Sequence, residues 1–101
     1  MIARTWHGRV SRARAAAYED YLRATGLADY AKVAGNRGVY LLRRDEDEVT
    51  HFTTLTFWDS VEAIRAFAGD DYEQARYYPE DDAILLEREP RVTHHHVVEP
   101  A

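Results

Sequence analysis

The sequence predicts one α+β domain, spanning residues 1–101, in which two helices cover one face of a four-stranded antiparallel sheet. A chain of 101 residues is long enough for a single domain with a thin core. Strand-like and helix-like hydrophobic periods alternate along it in the order β-α-β-β-α-β. Right-handed crossovers turn that order into a split βαβ unit with strand order 4-1-3-2.

The first half of the chain is expected to supply two strands and the helix between them. Residues 1–10 alternate in hydropathy and form the first strand. Ser11 is placed to cap the helix that follows, and Gly26 is placed to end it. Residues 39–44 form the second strand, and the acidic run 45–48 makes the turn that follows it.

The third strand and the second helix are the most regular part of the sequence. Residues 49–58 alternate, with Trp58 and the other even-numbered residues on one face. Asp59 and Glu62 have the spacing of a capping box at the start of the helix, and Gly69 ends it. Trp58 is therefore expected where the sheet meets the helix, a seam at which clefts often form.

The last third of the chain has a weaker pattern. Residues 70–76 are expected to make another helical turn, and residues 84–86 fit either a helical turn or a short strand. Pro90 precedes the final strand, which covers residues 91–98. This strand is expected to pair with the first one and complete the sheet.

Both faces of the predicted sheet carry apolar side chains. Along the second strand Val39 and Leu41 face one way, and Tyr40 and Leu42 face the other. Two helices cover only one face, so the other face is too apolar to be left in water. We therefore predict an obligate homodimer, shaped like a barrel, in which two copies bury their open sheet faces against each other.

Composition excludes several classes of partner and site. The formal net charge of -5 disfavours a nucleic acid as partner. The chain has no cysteine, which excludes disulfides and thiolate chemistry. No apolar run approaches the roughly 18 residues of a membrane span, so no membrane partner is expected. No signal peptide is recognisable, and the expected compartment is cytoplasmic.

Several short motifs resemble those of a known family. They are Trp6-His7-Gly8 on the first strand, Phe57-Trp58-Asp59-Ser60 after the third, residues 62–69 on the second helix, Tyr77-Tyr78-Pro79-Glu80-Asp81, and the strand around His94. With these motifs the chain resembles the antibiotic biosynthesis monooxygenase (ABM) superfamily over nearly its whole length. The resemblance implies a ferredoxin-like βαββαβ fold that pairs into a dimeric α+β barrel. It implies either cofactor-independent oxidation of an activated aromatic or polyketide-like molecule by O2, or haem binding and degradation.

The sequence departs from the haem-degrading members of that family. Those relatives use an Asn on the first strand and a His on the second helix, the latter as the haem ligand. This chain has Ala3, Arg4 and Thr5 at the strand start and no His in residues 60–76. The cofactor-independent reaction is therefore the first hypothesis, and no cofactor is expected. Asn36 lies in a predicted turn, so the oxygen-activating Asn of the family has no evident counterpart.

Two strand histidines are the candidate bases. A neutral imidazole near pH 7 can take a proton from a phenol or an activated C–H, which makes the resulting carbanion reactive toward O2. His7 or His94 would be the base, and Trp58 and Tyr72 would position the aromatic ring as further catalytic residues. The alternative is that the histidines are half-buried strand residues that bond to backbone or carboxylate groups.

Four more residues are candidates for binding the aromatic substrate: Trp6, His51, Tyr77 and Tyr78. A tryptophan can stack on a flat ring, and tyrosines can donate hydrogen bonds to a quinone oxygen. The alternatives are core packing for the tryptophan and an amphipathic rim for the tyrosines.

Two other hypotheses follow from the same residues. His7, His94 and His96 would give a metal three imidazole ligands and leave one position open, if the strands bring them together. A non-catalytic module would use the same cleft to bind a small apolar ligand.

Overall fold

An antiparallel sheet forms one layer of the computed structural model, which describes residues 1–75, 77, 81–87 and 89–99, without the side chains of 82 and 83. In these residues the strands are β1 (Ile2–Ser11), β2 (Asn36–Glu46), β3 (Val49–Trp58), β4 (Leu85–Glu87) and β5 (Thr93–His96). The order is β2-β3-β1, and both β4 and β5 pair with the other edge of β1. The predicted order 4-1-3-2 is confirmed, with two short strands sharing the fourth place.

Helices pack on one face of this sheet. They are α1 (Ala15–Leu22), α2 (Ala28–Ala31), α3 (Val61–Ala68) and α4 (Asp81–Ile84). A π-helical turn, Arg23–Leu27, joins α1 to α2, so the prediction that Gly26 ends the first helix is wrong. The helix continues past this glycine because Leu27 and Tyr30 still pack on the core. The α+β class and the ferredoxin-like arrangement are confirmed.

Ser11 does not cap the first helix as predicted. It is the last residue of β1, its side chain makes no capping hydrogen bond, and a 3-10 turn, Arg12–Arg14, separates it from α1. That turn absorbs the change of direction between strand and helix. The backbone N–H of Arg12 instead donates to the Glu48 carbonyl at 2.8 Å, which ties the end of β1 to the neighbouring hairpin.

The N-cap of helix α3 is Ser60, one residue later than the predicted cap Asp59. The Ser60 hydroxyl accepts a hydrogen bond from the backbone N–H of Ala63 at 3.3 Å. Asp59 instead accepts two hydrogen bonds from the Arg37 guanidinium, both at 2.7 Å. The predicted end of the helix at Gly69 is confirmed, and this glycine has the positive φ of 84° that a side chain disfavours.

Replacing Ser60 by alanine is expected to lower the free energy of unfolding by about 1 kcal/mol, because the Ala63 N–H loses its acceptor. Urea unfolding followed by circular dichroism measures the change. Ser11→Ala is the matched control, since that hydroxyl caps no helix, and it should change the free energy by less than about 0.5 kcal/mol. Equal losses in the two variants would contradict the capping role.

Residues 70–75 do not form the predicted helical turn. Gln74 pairs with Arg91 in an antiparallel bridge, and the backbone N–H of Val92 donates to the Glu73 carbonyl at 2.8 Å. The segment therefore makes one internal hydrogen bond, from the Gln74 N–H to the Asp71 carbonyl, and otherwise pairs with the chain that leads into β5. Position 76 lies outside the described residues. Helix α4 passes directly into β4 at Leu85. Residues 84–86 therefore contain both predicted alternatives, since residue 84 ends a helical turn and residues 85 and 86 begin a short strand.

The sheet has one covered and one open face. The even-numbered residues of β3 face the helices and are buried, and Phe52 and Trp58 have no exposed surface. On the open face the odd-numbered residues of β3 are half-buried, and Tyr40 and Leu42 of β2 are 56% and 48% exposed. Within the described residues, no helix has the length and apolar character that crossing a bilayer requires.

Candidate functional site

Strand pairing divides the histidines between the two faces of the sheet. His7 is opposite Thr53 on β3, among the open-face residues. His94 pairs with the buried residue Arg4, and His96 pairs with the buried residue Ile2, so both belong to the covered face. The interpretation of His7, His94 and His96 as one metal site is therefore wrong, because the sheet lies between its members. His7 and His94 are two separate candidates for the base.

His94 lies at a cleft on the covered face. The cleft has a volume of about 140 Å³, and its lining includes Tyr72, Glu73 and His94. The edge of the Tyr72 ring meets the His94 ring, with centroids 5.3 Å apart and an interplanar angle of 75°. An apolar cavity of about 150 Å³ is large enough for benzene. The cleft can therefore take a single aromatic ring beside this imidazole.

The electrostatics of the cleft keep His94 neutral. Burial and the nearby positive charge of Arg4 lower the pKa of His94 below its usual value of 6.5, against a smaller opposing effect of Glu73. The Nε2 atom of His94 is buried and has no hydrogen-bond partner among the described residues. A neutral imidazole with a free nitrogen is the state that a general base requires near pH 7.

Arg4 lies next to this cleft as the cross-strand partner of His94, and the sequence pattern did not predict a role for it in the site. Its guanidinium is 1% exposed, donates to the Tyr30 hydroxyl at 3.1 Å, and lies over the rings of Tyr30 and Phe67. The available signal was the alternation of β1, which places Arg4 between Ile2 and Trp6 on the apolar face. A buried arginine on such a face is rare without a partner.

Trp58 forms the wall behind this cluster. The indole has no exposed surface, its N–H donates to the Thr56 hydroxyl at 2.8 Å, and its ring contacts those of Tyr30 and Phe67 at centroid distances of 6.2 and 6.1 Å. Trp58 therefore supports the rings that surround Arg4. Of the four predicted catalytic residues, Tyr72 and His94 line the outer cleft, Trp58 is fully buried and does not line it, and His7 lies on the other face of the sheet.

Two predicted substrate-binding residues meet at a smaller inner cavity. The Trp6 indole N–H donates to the Tyr77 hydroxyl at 3.1 Å, and both side chains line a space of about 30 Å³. The Tyr77 hydroxyl in turn donates to the Glu89 carbonyl. Such a volume is about that of one water molecule. Tyr78, the other tyrosine predicted here, lies outside the described residues.

A buried tyrosine–aspartate pair borders the same inner cavity. The Tyr18 hydroxyl donates to the Asp81 carboxylate at 2.8 Å, and neither residue has more than 3% of its surface exposed. Burial and the hydrogen bond to Asp81 raise the pKa of Tyr18 well above its usual range. The phenol therefore stays protonated and ties α1 to α4.

His7 and His51 form a hydrogen-bonded chain on the open face. His7 Nδ1 lies 2.6 Å from the Glu89 carboxylate, His7 Nε2 lies 2.8 Å from His51 Nδ1, and His51 Nε2 lies 3.4 Å from Glu46. The two imidazole rings are stacked at a centroid distance of 5.1 Å. Both ring nitrogens of each histidine are therefore engaged. His51, which the sequence predicted to bind substrate, is not brought together with Trp6 and Tyr77.

No protein-family model matches the chain, and no curated protein matches it in sequence. Solved structures do match. A Bacillus cereus protein assigned as an antibiotic biosynthesis monooxygenase is 17% identical with a TM-score of 0.67, and the match covers 100% of this chain and 94% of that one. PA3566 from Pseudomonas aeruginosa is 19% identical with a TM-score of 0.65 over 99% and 94% of the two chains.

A third similar structure is a variant of MhuD with two manganese protoporphyrin IX molecules bound per active site. It is 20% identical, has a TM-score of 0.63, and matches over 100% of this chain and 98% of that one. The chain thus shares the fold of these structures. The predicted resemblance is confirmed at the level of fold, and identities of 17–20% support nothing finer.

Proposed function

We propose that this protein is a cofactor-independent monooxygenase that oxidises an activated aromatic or polyketide-like molecule with O2. The observation that carries the proposal is the state of His94, whose lowered pKa and unpartnered Nε2 make it a base beside a ring-sized cleft. Among the candidate bases, His7 is less suited to this role because Glu89 and His51 already engage both of its nitrogens.

The proposed reaction needs only a base and an electron-rich carbon. His94 takes a proton from a phenol or an activated CH2 group of the substrate, and the charge spreads over the ring. The carbanion forms a carbon–oxygen bond with O2. Loss of water then leaves a carbonyl group, so that a CH2 group and O2 become a C=O group and H2O. Tyr72 holds the His94 ring by its edge contact, and Arg65 lies over the Tyr72 ring at 5.3 Å.

Haem chemistry has less support in this chain. Helix α3 carries no histidine, and the inner cavity of about 30 Å³ between the helices and the sheet is far too small for a porphyrin. The residues present therefore do not fit haem, and no step is assigned to it. A non-catalytic module that binds a small apolar ligand remains the second candidate, supported by Ile2, Val61 and Tyr72 in the lining of the outer cleft.

Oxygen consumption tests the proposal directly. The purified protein, treated with a chelator, is expected to consume one O2 per substrate with at least one member of a panel of anthrones and hydroquinones. A haem titration that leaves the absorption band of free haem unshifted is expected alongside it. If every member of the panel oxidises at its uncatalysed rate while one of them still binds, the protein is the binding module and the monooxygenase proposal fails.

The same proposal includes a homodimer formed through the open sheet face. Tyr40 and Leu42 are large, apolar and exposed on that face, and Leu55 and Phe57 of β3 extend the patch. A contiguous apolar surface on a sheet is usually covered in solution. A second copy related by a two-fold axis places the same patch on both sides of the interface.

Leu42→Asp is expected to convert the dimer to a monomer, because two carboxylates would be buried near the axis without partners. Analytical ultracentrifugation at micromolar concentration should give the mass of a single chain for the variant and twice that mass for the wild type. Ala24→Asp is the control, since Ala24 is exposed on the helical layer and its variant should stay dimeric. A wild type that sediments as a single chain would rule the dimer out.

A further inference from the structure

The guanidinium of Arg4 is a buried cation with unused hydrogen-bond donors. The residue is 1% exposed, yet its Nε and Nη2 atoms have no partner among the described residues, and the one hydrogen bond of the guanidinium to these residues goes to the Tyr30 hydroxyl. No carboxylate of the described residues forms an ion pair with it. An unpaired buried charge is strongly destabilising, so a group of this kind calls for an explanation.

The two unused donors lie on one edge of the guanidinium fork. Elsewhere in the same chain, Arg37 uses that edge to hold a carboxylate: its Nε and Nη2 atoms each donate to one oxygen of Asp59 at 2.7 Å. The planar edge of an arginine matches the two oxygens of a carboxylate. Arg4 therefore has the unfilled half of the same pair, held in a fixed position inside the protein.

The surroundings of Arg4 are aromatic. The guanidinium carbon lies 5.9 Å from the centroid of Tyr30 and 5.6 Å from that of Phe67. His94 is its cross-strand neighbour on β5. Tyr30 and Phe67 line the inner cavity, and His94 lines the outer cleft. Arg4 itself does not line either space, but it contacts Tyr30 and Phe67 of the inner cavity and pairs with His94 of the outer cleft, so it adjoins residues of both.

We propose that Arg4 is the anion-binding residue of this site and that the ligand is a small aromatic carboxylate. The ring occupies the cleft beside Tyr72 and His94, and the carboxylate accepts from the Nε and Nη2 atoms of Arg4. The ligand supplies the negative charge that the described part of the chain does not place next to this cation. This inference rests on the proposed function only in taking the ligand to be the substrate, since the binding itself needs no turnover.

The proposed ion pair between Arg4 and the ligand carboxylate predicts that a charged ligand binds more tightly than a neutral one of the same shape. Hydrogen bonds to a charged partner discriminate by roughly 10- to 100-fold. The wild-type protein is therefore expected to bind benzoate at least 10-fold more tightly than benzamide, which has nearly the same shape without the charge. Isothermal titration calorimetry, or quenching of tryptophan fluorescence, measures both dissociation constants.

Arg4→Met tests the assignment. Methionine fills a similar volume without a charge, so the variant should lose the preference for the acid over the amide while binding the amide as the wild type does. Its thermal midpoint should rise, because an unpaired buried cation has been removed. Arg44→Met is the matched control: it removes an exposed arginine that pairs with Glu46 on the open face, and it should keep the preference.

Each outcome decides the question. Equal affinity of the wild type for the acid and the amide, binding of neither, or an undiminished preference in Arg4→Met would overturn the inference. Preference for the acid without O2 consumption by any substrate would leave the carboxylate site standing and remove the monooxygenase. O2 consumption with neutral substrates, together with equal affinity of the wild type for the acid and the amide, would remove the carboxylate site and leave the monooxygenase standing.

Discussion

Replacing His94 by alanine should lower kcat/KM for O2-dependent oxidation by about 10²- to 10⁴-fold, the usual range for removal of a general base. His7→Ala is the matched control, because strand pairing places His7 on the opposite face of the sheet. Its kcat/KM should stay close to that of the wild type. Steady-state oxygen uptake with the best substrate of the panel, together with unfolding curves for both variants, provides the comparison.

The pH profile of the wild type gives a second readout of His94. Burial and Arg4 lower the pKa of His94 below 6.5, so the imidazole is in its basic form at neutral pH. For a substrate that does not itself titrate in this region, kcat/KM should be level above pH 6.5 and fall as the pH drops through the lowered pKa of His94. Full activity in His94→Ala with loss in His7→Ala would assign the base to the open face instead.

The lowered pKa of His94 also makes the free energy of unfolding depend on pH. A histidine whose pKa is lower in the folded than in the unfolded chain binds protons more readily after unfolding. The contribution of His94 to stability is therefore complete above pH 6.5 and is lost as the pH falls from there through the pKa of the folded state. His94→Ala should remove this part of the pH dependence.

Replacing Trp58 by alanine should lower the free energy of unfolding by about 3–5 kcal/mol, the cost of deleting a fully buried aromatic side chain. The indole has no exposed surface, and its loss would leave Tyr30, Phe67 and Ile64 around a cavity. A domain of this size has a total stability of roughly 5–15 kcal/mol, so the variant would lose a large fraction of it. Urea unfolding measures the difference.

Two controls make the Trp58 result specific. Val98→Ala changes a side chain that is 94% exposed, and it should alter the free energy by less than about 0.5 kcal/mol. Trp58→Phe keeps a ring in the core and should recover most of the loss. No recovery in Trp58→Phe would show that the hydrogen bond from the indole to Thr56, rather than the packing, provides the stability.

The two faces of the sheet have separate chemistry, and this bears on how the protein could work. Among the described residues, Arg4 and His94 on the covered face lack partners for part of their polar atoms, as is common where a ligand completes a site, and on the open face the Nε atom of Arg9 also lacks one. On the open face Glu89, His7 and His51 satisfy one another. The covered face therefore carries the proposed catalysis, and the open face carries the proposed contact between copies.

Much of the fold was predictable because it depends on local patterns. The alternation along residues 49–58 predicted β3 with its correct bounds, and the positive φ at Gly69 follows from its place after a helical stripe. The helix ends that depend on packing were not predictable in this way. Gly26 would end an isolated helix, but Leu27 and Tyr30 bury surface that carries the helix past it.

The alternation of hydropathy predicted which residues of one strand share a face, and in the structure Trp6 and Trp58 both lie on the buried face. It could not relate a residue of the first strand to one of the last, since pairing strands in a different register by one residue exchanges their faces. The fold sets that register by pairing Arg4 with His94 and Ala3 with His95. This pairing places His7 and His94 on opposite faces of the sheet and brings the buried cation Arg4 next to the neutral base His94. Contacts between distant parts of the chain determine which side chains meet, and the order of the residues alone does not.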